Sequence, residues 1–263
     1  MSARSLTVGG VTLAWRPTPW DARGLGVATV ELTAVTYQDA RALPAALAAL
    51  DDALIADGIG LASTRVASVD VALVDALTTA GFAPVERSHP LALGLATASL
   101  PRRTVAVEVA TVDDRDALVA LARDGFDYSR FHEDVRIHPS RSRDRYARWI
   151  ADSLAQQLAG TGDEVWVHRH HGALAAVMTF RRRADHVQLY LGGTAPGLGL
   201  VAPMFWTGVL ARLRAEGVVT IDTRVSAANV AAMRLHAALG FAIIGADVGC
   251  TKIYDATVGQ PSR

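Results

Sequence analysis

The stretch Asn229-Val230-Ala231-Ala232-Met233-Arg234-Leu235-His236-Ala237-Ala238-Leu239-Gly240-Phe241 decides how this chain is read. Its small and aliphatic residues suit a helix, and Gly240 suits the stop. Asn229 stands where a side-chain oxygen can accept a hydrogen bond from the first helical turn. Asn229 and His236 are seven residues apart, so two turns leave them about 20° from alignment on one face. Ala232 and Met233 lie between them, and the small Ala232 lets a ligand approach the backbone. By spacing alone, Asn229 reads as a cap or first-turn residue and His236 as a satisfied surface histidine.

Working outward, Val218 to Val225 reads as a strand and Ala227 to Leu239 as the helix. The same arrangement occurs earlier. Arg65-Val66 precedes Gly81-Phe82 as Arg224-Val225 precedes Gly240-Phe241, with Asp70 at the place of Asn229 and Leu77 at the place of His236. Two readings follow: a coincidence of common strand-helix-strand pieces, or a duplicated fold whose first copy has lost its polar site residues. Leu6 to Trp15 reads as a hairpin around Gly9-Gly10, and Pro17 to Gly26 as a loop. Asp39 to Asp57 reads as a helix with Leu43, Leu47, Leu50 and Leu54 at helical spacing. Ser68 is the expected N-cap of the next helix, and Ala96 to Arg103 the expected linker. Beyond it come a strand from Thr104 to Ala110 and a helix to Gly125. An irregular loop spans Phe126 to Pro139, and a helix runs from Ser140 to Ala159. Three strands follow, Glu164 to His170, Ala173 to Arg183 and His186 to Gly193, and then a helix from Pro203.

Composition narrows the function classes. The chain has 263 residues, 51% hydrophobic and 20% charged, with 26 basic and 26 acidic residues. That fits one large domain or two ordinary ones, with ample core. A balanced charge disfavours binding to nucleic acid by phosphate neutralisation. The one cysteine, Cys250, cannot form an internal disulfide, which fits a reducing, cytoplasmic location. Met1 to Trp15 lacks the apolar segment of a signal peptide. The uncharged stretch from Val187 to Ala211 is broken by glycine and proline, so it reads as strand, loop and helix rather than a membrane span. His168, His170 and His171 read as a solvent-exposed hairpin, since a metal site would need more ligands.

The run from Asn229 to Phe241 closely resembles the C-terminal signature of the GNAT superfamily of acyl-CoA-dependent N-acyltransferases. In that superfamily an Asn opens the helix, a Tyr commonly stands seven residues later, and Gly-Phe follows. The upstream elements match in order: two helices, an antiparallel meander, a Gly-rich turn, a helix and a strand. The resemblance implies an α/β tandem GNAT-like fold with a mixed, mostly antiparallel sheet. Residues 1–100 would be a partial, non-catalytic copy and 101–263 a complete catalytic one. It also implies acetyl-CoA as acyl donor and a small-molecule amine as acceptor, with no nucleic-acid or membrane partner; a homodimer is a further expectation.

Site roles follow from the same resemblance. His236 occupies the family Tyr position, which implies protonation of the departing CoA thiolate; imidazole can donate a proton. Tyr254 is the alternative general acid. The Gly-rich turn falls at Gly197-Leu198-Gly199-Leu200-Val201-Ala202, or one register earlier from Thr194. Neither register has the family's Gln or Arg, so the pyrophosphate would depend on backbone N–H groups at a helix start. Leu191, Gly192 and Gly193 would lie on a splaying strand that offers an N–H to the thioester carbonyl. Asn229 and Ala232 would position pantetheine.

A narrower resemblance reaches both halves. Trp20-Asp21, Ala80-Gly81-Phe82, Ser129-Arg130-Phe131 and Tyr146 with Trp149-Ile150 are similar to the TDP-fucosamine N-acetyltransferase family. This implies a nucleotide-linked amino sugar as acceptor. The loop from Phe126 to Pro139 would then shape the acceptor site. Tyr128, Arg130, Phe131 and also Tyr190 would bind the acceptor, with Arg130 pairing with a diphosphate. Glu133 or Asp134 would take a proton from the ammonium. Two alternatives stay open: an acyltransferase for an antibiotic, polyamine or peptide N-terminus, and a non-catalytic acyl-CoA-binding protein.

Overall fold

The structure, a computed structural model, describes residues 3–262. Strands β1 (Arg4–Val8) and β2 (Val11–Pro17) form the expected hairpin, with Gly9 and Gly10 at positive φ in the turn. Helix α1 (Pro19–Leu25) replaces the expected loop. Pro19 presets the first helical φ where no N–H is needed, and Gly26 ends the helix at φ +74°. Then come β3 (Thr29–Thr36), α2 (Leu43–Ala56), β4 (Leu61–Ala67), α3 (Val71–Thr79) and β5 (Ala83–Gly94). The N-cap of α3 is Asp70, not Ser68: its carboxylate accepts from the Leu73 N–H at 3.1 Å.

The chain continues through β6 (Glu108–Val109), α4 (Arg115–Gly125) and α5 (Pro139–Leu158). The meander β7 (Glu164–His170), β8 (Ala173–Arg183) and β9 (His186–Thr194) follows. The last elements are α6 (Ala202–Ala215), β10 (Thr220–Ser226), α7 (Val230–Ala238), β11 (Ala242–Ile243) and β12 (Asp247–Ile253). Strand β6 is shorter than expected from Thr104 to Ala110. The residues before it leave the sheet edge to cross α6 at Gly208, whose added Cβ would stand 2.9 Å from the Val105 carbonyl. No helix among the described residues is long and apolar enough to cross a membrane.

The fold packs as two compact units. The first comprises the residues up to Ser88, Tyr128–Arg145 and the residues from Ala246. The second comprises His89–Asp127 and Tyr146–Gly245. Packing thus groups the loop beyond Tyr128 and the C-terminal strand with the first sheet, although both follow residue 100 in the chain.

In the first unit the strand order is β1-β2-β3-β4-β12-β5. The β3–β4 pair is parallel and the other pairs are antiparallel. Helices α2 and α3 cover one face. Leu43, Leu47, Leu50 and Leu54 pack with Leu73, Leu77, Val30, Leu32, Val66 and Val248. The opposite side buries Leu25, Val27, Leu61, Phe131, Ile137 and Val258 together. The loop and the start of α5 are tied into this unit by buried polar bonds. Arg145 Nε donates to Asp21 Oδ1 at 2.5 Å, and Ser142 Oγ donates to the Phe131 carbonyl at 2.5 Å.

In the second unit the order is β5-β10-β9-β8-β7-β6, with β11 against β5. Here β9 and β10 are parallel, while β6 to β9 form an antiparallel meander. Helices α6 and α7 cover one face through Phe205, Trp206, Val209, Leu210, Leu213 and Leu239. Helices α4 and α5 cover the other through Leu118, Leu121, Tyr146, Ile150 and Leu154. His168 belongs inside this unit rather than on an exposed hairpin. It is 8% exposed and its Nδ1 hydrogen bonds the Ala106 carbonyl at 2.9 Å.

The internal echo is a duplication of geometry. From the 3-10 turn Ala40–Ala42 through α2, β4 and α3, each boundary recurs 159 residues later as Gly199–Val201, α6, β10 and α7. The caps match in dihedral angle: Asp70 has φ −84°, ψ 68°, and Asn229 has φ −83°, ψ 71°. The Phe82 N–H donates to Leu77 O at 2.9 Å, and the Phe241 N–H to His236 O at 3.0 Å. Gly81 and Gly240 take φ +89° and +88° between them.

In both glycines the space for a methyl group exists, with the nearest heavy atoms at 3.4 and 3.7 Å. The cost of alanine is therefore conformational. Gly81→Ala and Gly240→Ala are each expected to destabilise by about 1–2 kcal/mol, the left-handed penalty for an L-residue. Urea unfolding of the two variants checks this, and similar losses at the two positions are expected.

Candidate active site

The site is built around the end of β9. The parallel ladder pairs Thr220, Ile221 and Asp222 with His186, Val187 and Gln188. Beyond it, Thr223 Oγ1 donates to the Leu189 carbonyl at 3.3 Å, while β9 continues along β8 to Thr194. Tyr190 is the extra residue of a β-bulge, since Thr179 pairs with Leu191 and Phe180 with Leu189. A bulge rotates the strand and re-aims the residues after it. The first unit has the same device, with Thr33 as the extra residue of β3 and Thr64 Oγ1 donating to the Leu32 carbonyl at 3.0 Å.

Leu191, Gly192 and Gly193 follow the bulge. The Leu191 N–H donates to buried Thr179 Oγ1 at 3.1 Å. Gly192 is forced by the Trp206 indole, because an added Cβ would sit 2.3 Å from its Cζ2. Gly193 faces the other way, with an added Cβ 3.0 Å from the Phe126 ring.

The Gly-rich turn leads into α6 through the 3-10 turn Gly199–Val201, with Pro203 in the first turn of the helix. Three N–H groups are already used: Leu198 donates to Ala195 O, Val201 to Leu198 O and Ala202 to Gly199 O. Gly199 and Leu200 open the turn, where a helical N–H has no acceptor within its own turns. The space beside Gly197 and Gly199 is open, and Leu200 is 90% exposed. The first unit provides an internal control. There Asp39 stands in place of Leu198, and its carboxylate accepts from the Arg41 N–H at 3.0 Å and from the Arg41 guanidinium. The helix entrance is thus self-capped in the first copy and lacks a side-chain cap in the second.

The α7 helix differs from α3 in the same sense. Asn229 Oδ1 accepts from the Ala232 N–H at 3.0 Å. In the first copy the corresponding Asp70 also accepts from the Tyr37 hydroxyl, at 2.5 Å. His236 takes the place of Leu77 and is 6% exposed. Its Nδ1 lies 2.8 Å from the Ala232 carbonyl, and its ring meets Phe241 edge to face at 4.9 Å. A carbonyl only accepts, so Nδ1 carries the hydrogen and Nε2 keeps its lone pair. Burial pushes the imidazole pKa below its ordinary value, against the opposing bond to Ala232. The neutral ring therefore presents an acceptor nitrogen at neutral pH.

The residues expected around the acceptor separate by unit. Tyr128, Arg130, Phe131, Glu133 and Asp134 lie in the first unit. His236, Asn229, Ala232, Tyr190 and the glycines lie in the second. Phe131 is a core residue flanked by the Arg130 and Arg145 guanidinium groups at 4.9 and 4.7 Å. Arg130 is buried and pairs with Glu31 at 3.3 Å, and burial lowers its pKa to about 10. Asp134 is buried. Burial alone would raise its pKa, but bonds from Arg136 and from Thr251 Oγ1 hold it below the usual carboxylate range. The Glu133 N–H donates to the Ser129 carbonyl at 2.8 Å, and Tyr128 is 46% exposed. Tyr254 also lies in the first unit, where burial and Asp51 raise its pKa.

The second unit assembles residues that sequence reasoning named only separately. Phe126, Tyr146, Trp149 and Tyr190 form a row with successive ring centroids 5.3, 6.1 and 6.0 Å apart. Tyr190 OH donates to Gln188 Oε1 at 3.1 Å, and burial raises its pKa. Tyr146 and Trp149 carry a helical spacing that reads as plain core, and only the bulge brings Tyr190 into the row. Among the described residues no group of three or more His, Cys, Asp or Glu side chains could hold a metal ion.

No protein-family model matches the sequence, and no curated protein matches it. Solved structures do. A GCN5-related N-acetyltransferase from Kribbella flavida is 17% identical with a TM-score of 0.58, over 95% of this chain and 90% of that one. A functionally unknown conserved protein from Staphylococcus epidermidis is 12% identical with a TM-score of 0.63, over 95% and 94%. A tandem GNAT protein from the clavulanic acid biosynthesis pathway is 14% identical with a TM-score of 0.54, over 98% and 82%. At these identities the likeness is one of fold: the chain has a tandem GNAT-like α/β architecture.

The His236 tautomer is directly observable. Nitrogen-15 NMR is expected to show a protonated Nδ1, a bare Nε2 and a midpoint below the ordinary histidine value of about 6.5. The sign for stability follows. The unfolded chain binds this proton more readily, so the contribution is present above the unfolded pKa and lost as pH falls through the folded one. His236→Leu, the residue of the first copy, is expected to reduce that acid loss.

Proposed function

We propose that the protein is an acyl-CoA-dependent N-acyltransferase that moves an acetyl group from acetyl-CoA to the amine of a small molecule. One observation carries this reading. Two copies of one fold share their bulge, caps and glycine stops, and differ at the residues that would meet an acyl-CoA. The second copy exchanges a self-capping Asp39 for Leu198, a Tyr37-tied Asp70 for Asn229, and Leu77 for His236. An anion suits an uncapped helix entrance, and the chemistry of the open N–H groups at Gly199 and Leu200 fits a pyrophosphate.

Acetyl-CoA supplies the thioester, an activated acyl group. The chain's residues supply the rest. Gly199 and Leu200 hold the pyrophosphate, with Gly197 giving the turn and the spent donors Val201 and Ala202 fixing its shape. Asn229 and Ala232 line the pantetheine path. Leu191 is held by Thr179, and Gly193 pairs with Val177 in the ladder to β8, so donation to the thioester carbonyl falls to Gly192, whose N–H points to the open edge. An acceptor that arrives as an ammonium first loses one proton to solvent; when the free amine then attacks, a C–N bond forms and the C–S bond breaks, and one proton must pass from nitrogen to sulfur. Neutral His236 takes it at Nε2 and returns it to the thiolate. This extends the general-acid role expected from the Tyr position: the histidine acts first as base, then as acid.

The acceptor reading rests on Phe126, Trp149 and Tyr190, the half-buried rings that flank the core ring of Tyr146 and whose faces attract a cationic amine. The nucleotide-linked amino sugar is the finer reading that the sequence resemblance suggests. Arg130, its expected diphosphate partner, lies in the first unit and pairs with Glu31 through one nitrogen, its buried Nε and Nη1 having no partner among the described residues; the aromatic row supports the wider class of small-molecule amines. A second reading, acyl-CoA binding without turnover, is favoured by the burial of His236.

A thiol-release assay over a panel of amines, with calorimetry for CoA, tests these readings. Binding with release supports the enzyme, binding without release the second reading, and no binding at millimolar CoA removes both. Leu198→Asp, which copies the self-cap of the first unit, is expected to weaken CoA binding about tenfold or more by occupying the Leu200 N–H with a carboxylate. His236→Gln is expected to lower turnover about 100-fold or more while leaving CoA affinity within about twofold. The kcat/KM of the wild type should fall on the acid side of neutrality as Nε2 takes up a proton.

A further inference from the structure

Trp206 lies on α6, 5% exposed, with its indole Nε1 fully buried and without a hydrogen-bond partner. A buried indole N–H almost always finds an acceptor, because leaving it bare costs about 1–3 kcal/mol. The corresponding residue of the first copy, 159 positions earlier, is Leu47, a core residue with no polar atom in its side chain. The second copy has thus placed a donor where the fold needs only apolar volume. It has also made room for it: the benzo edge of the ring beside Nε1 is what Gly192 accommodates, with Cζ2 2.3 Å from an added Cβ. Gly192 pairs with Met178 on β8, and it lies four residues past Gln188, where the ladder to β10 ends. The orphan donor therefore stands beside the part of β9 that has left its parallel neighbour.

We infer that the Trp206 indole N–H is a ligand-binding donor for an amide carbonyl of the pantetheine arm, a role that rests on the acyl-CoA reading above. The helix sets the choice of carbonyl. Trp206 is six residues beyond Leu200, about 9 Å along the axis. Chain bonds of about 1.5 Å reach that distance from a pyrophosphate at the amides, well before the thioester. An amide oxygen is also the stronger acceptor for a neutral N–H. The ring fills the core while its edge reads the ligand.

Trp206→Phe keeps most of the ring and removes the donor. The expected result is CoA binding about five- to tenfold weaker by calorimetry, the value of one hydrogen bond. In the wild type, the Trp206 indole proton resonance, assigned by its absence from the variant, should shift on addition of CoA. CoA lacks the acyl group, so an effect on CoA itself separates an amide contact from a thioester contact. Affinity unchanged within twofold, or an indole resonance that does not move when wild type binds CoA, would overturn the Trp206 role. Should Trp206→Phe fail to fold, the wild-type resonance alone decides. Failure of the wild type to bind millimolar CoA would instead remove the acyl-CoA reading itself.

Discussion

Two parallel neighbouring strands can be joined only by a crossover, and here the crossover is a helix. This constraint governs both copies of the fold. The helix must begin next to the carboxyl end of the first strand, so its unsatisfied N–H groups gather there. Something must meet them. In the first copy Asp39 does so from within the chain. In the second, Leu198 has no group to offer, and the entrance at Gly199 and Leu200 lacks a side-chain cap. The bulges at Thr33 and Tyr190, the threonine bonds to Leu32 and Leu189, and the positive-φ stops at Gly81 and Gly240 are common scaffold. The differences that bear on the proposed site are a few side chains set on it.

Those differences share one physical character. Each removes an internal partner or adds a polar atom that the fold does not require. Asn229 loses the tyrosine that ties Asp70. His236 replaces a leucine in the core, and its bond to the Ala232 carbonyl fixes the tautomer and frees Nε2. Trp206 replaces a leucine and brings a donor with no acceptor. A core tolerates such changes only at a cost in desolvation, and the first copy fills the same positions without that cost.

Much of this was legible in the sequence. Asn229, His236 and Gly240 announce a capped helix and its stop through local chemistry alone, and the meander was bounded by its turn residues. The repeat at Arg65-Val66 and Gly81-Phe82 announced the duplication. The helix at Pro19 was missed because seven residues with a leading proline and an internal glycine, Gly24, carry little periodic signal. The loop from Tyr128 to Asp134 concentrates charge, and the sequence does not show that Asp134 bonds with Arg136 and Thr251. Phe131 is core, and Arg130 is buried with one nitrogen on Glu31 and its Nε and Nη1 without a partner among the described residues. Charge density in sequence does not distinguish an open polar loop from one stitched to distant strands.

The sequence by itself determined most of the elements, their order and the glycine stops at Gly81 and Gly240, because those depend on contacts within a few residues. Tertiary structure alone decided which donors are spent. Thr179 claims the Leu191 N–H across a bulge. The Trp206 ring dictates Gly192. Bonds across more than a hundred residues draw Asp134 and Arg145 into the first unit. These are long-range pairings, and no local pattern encodes the partner at the far end.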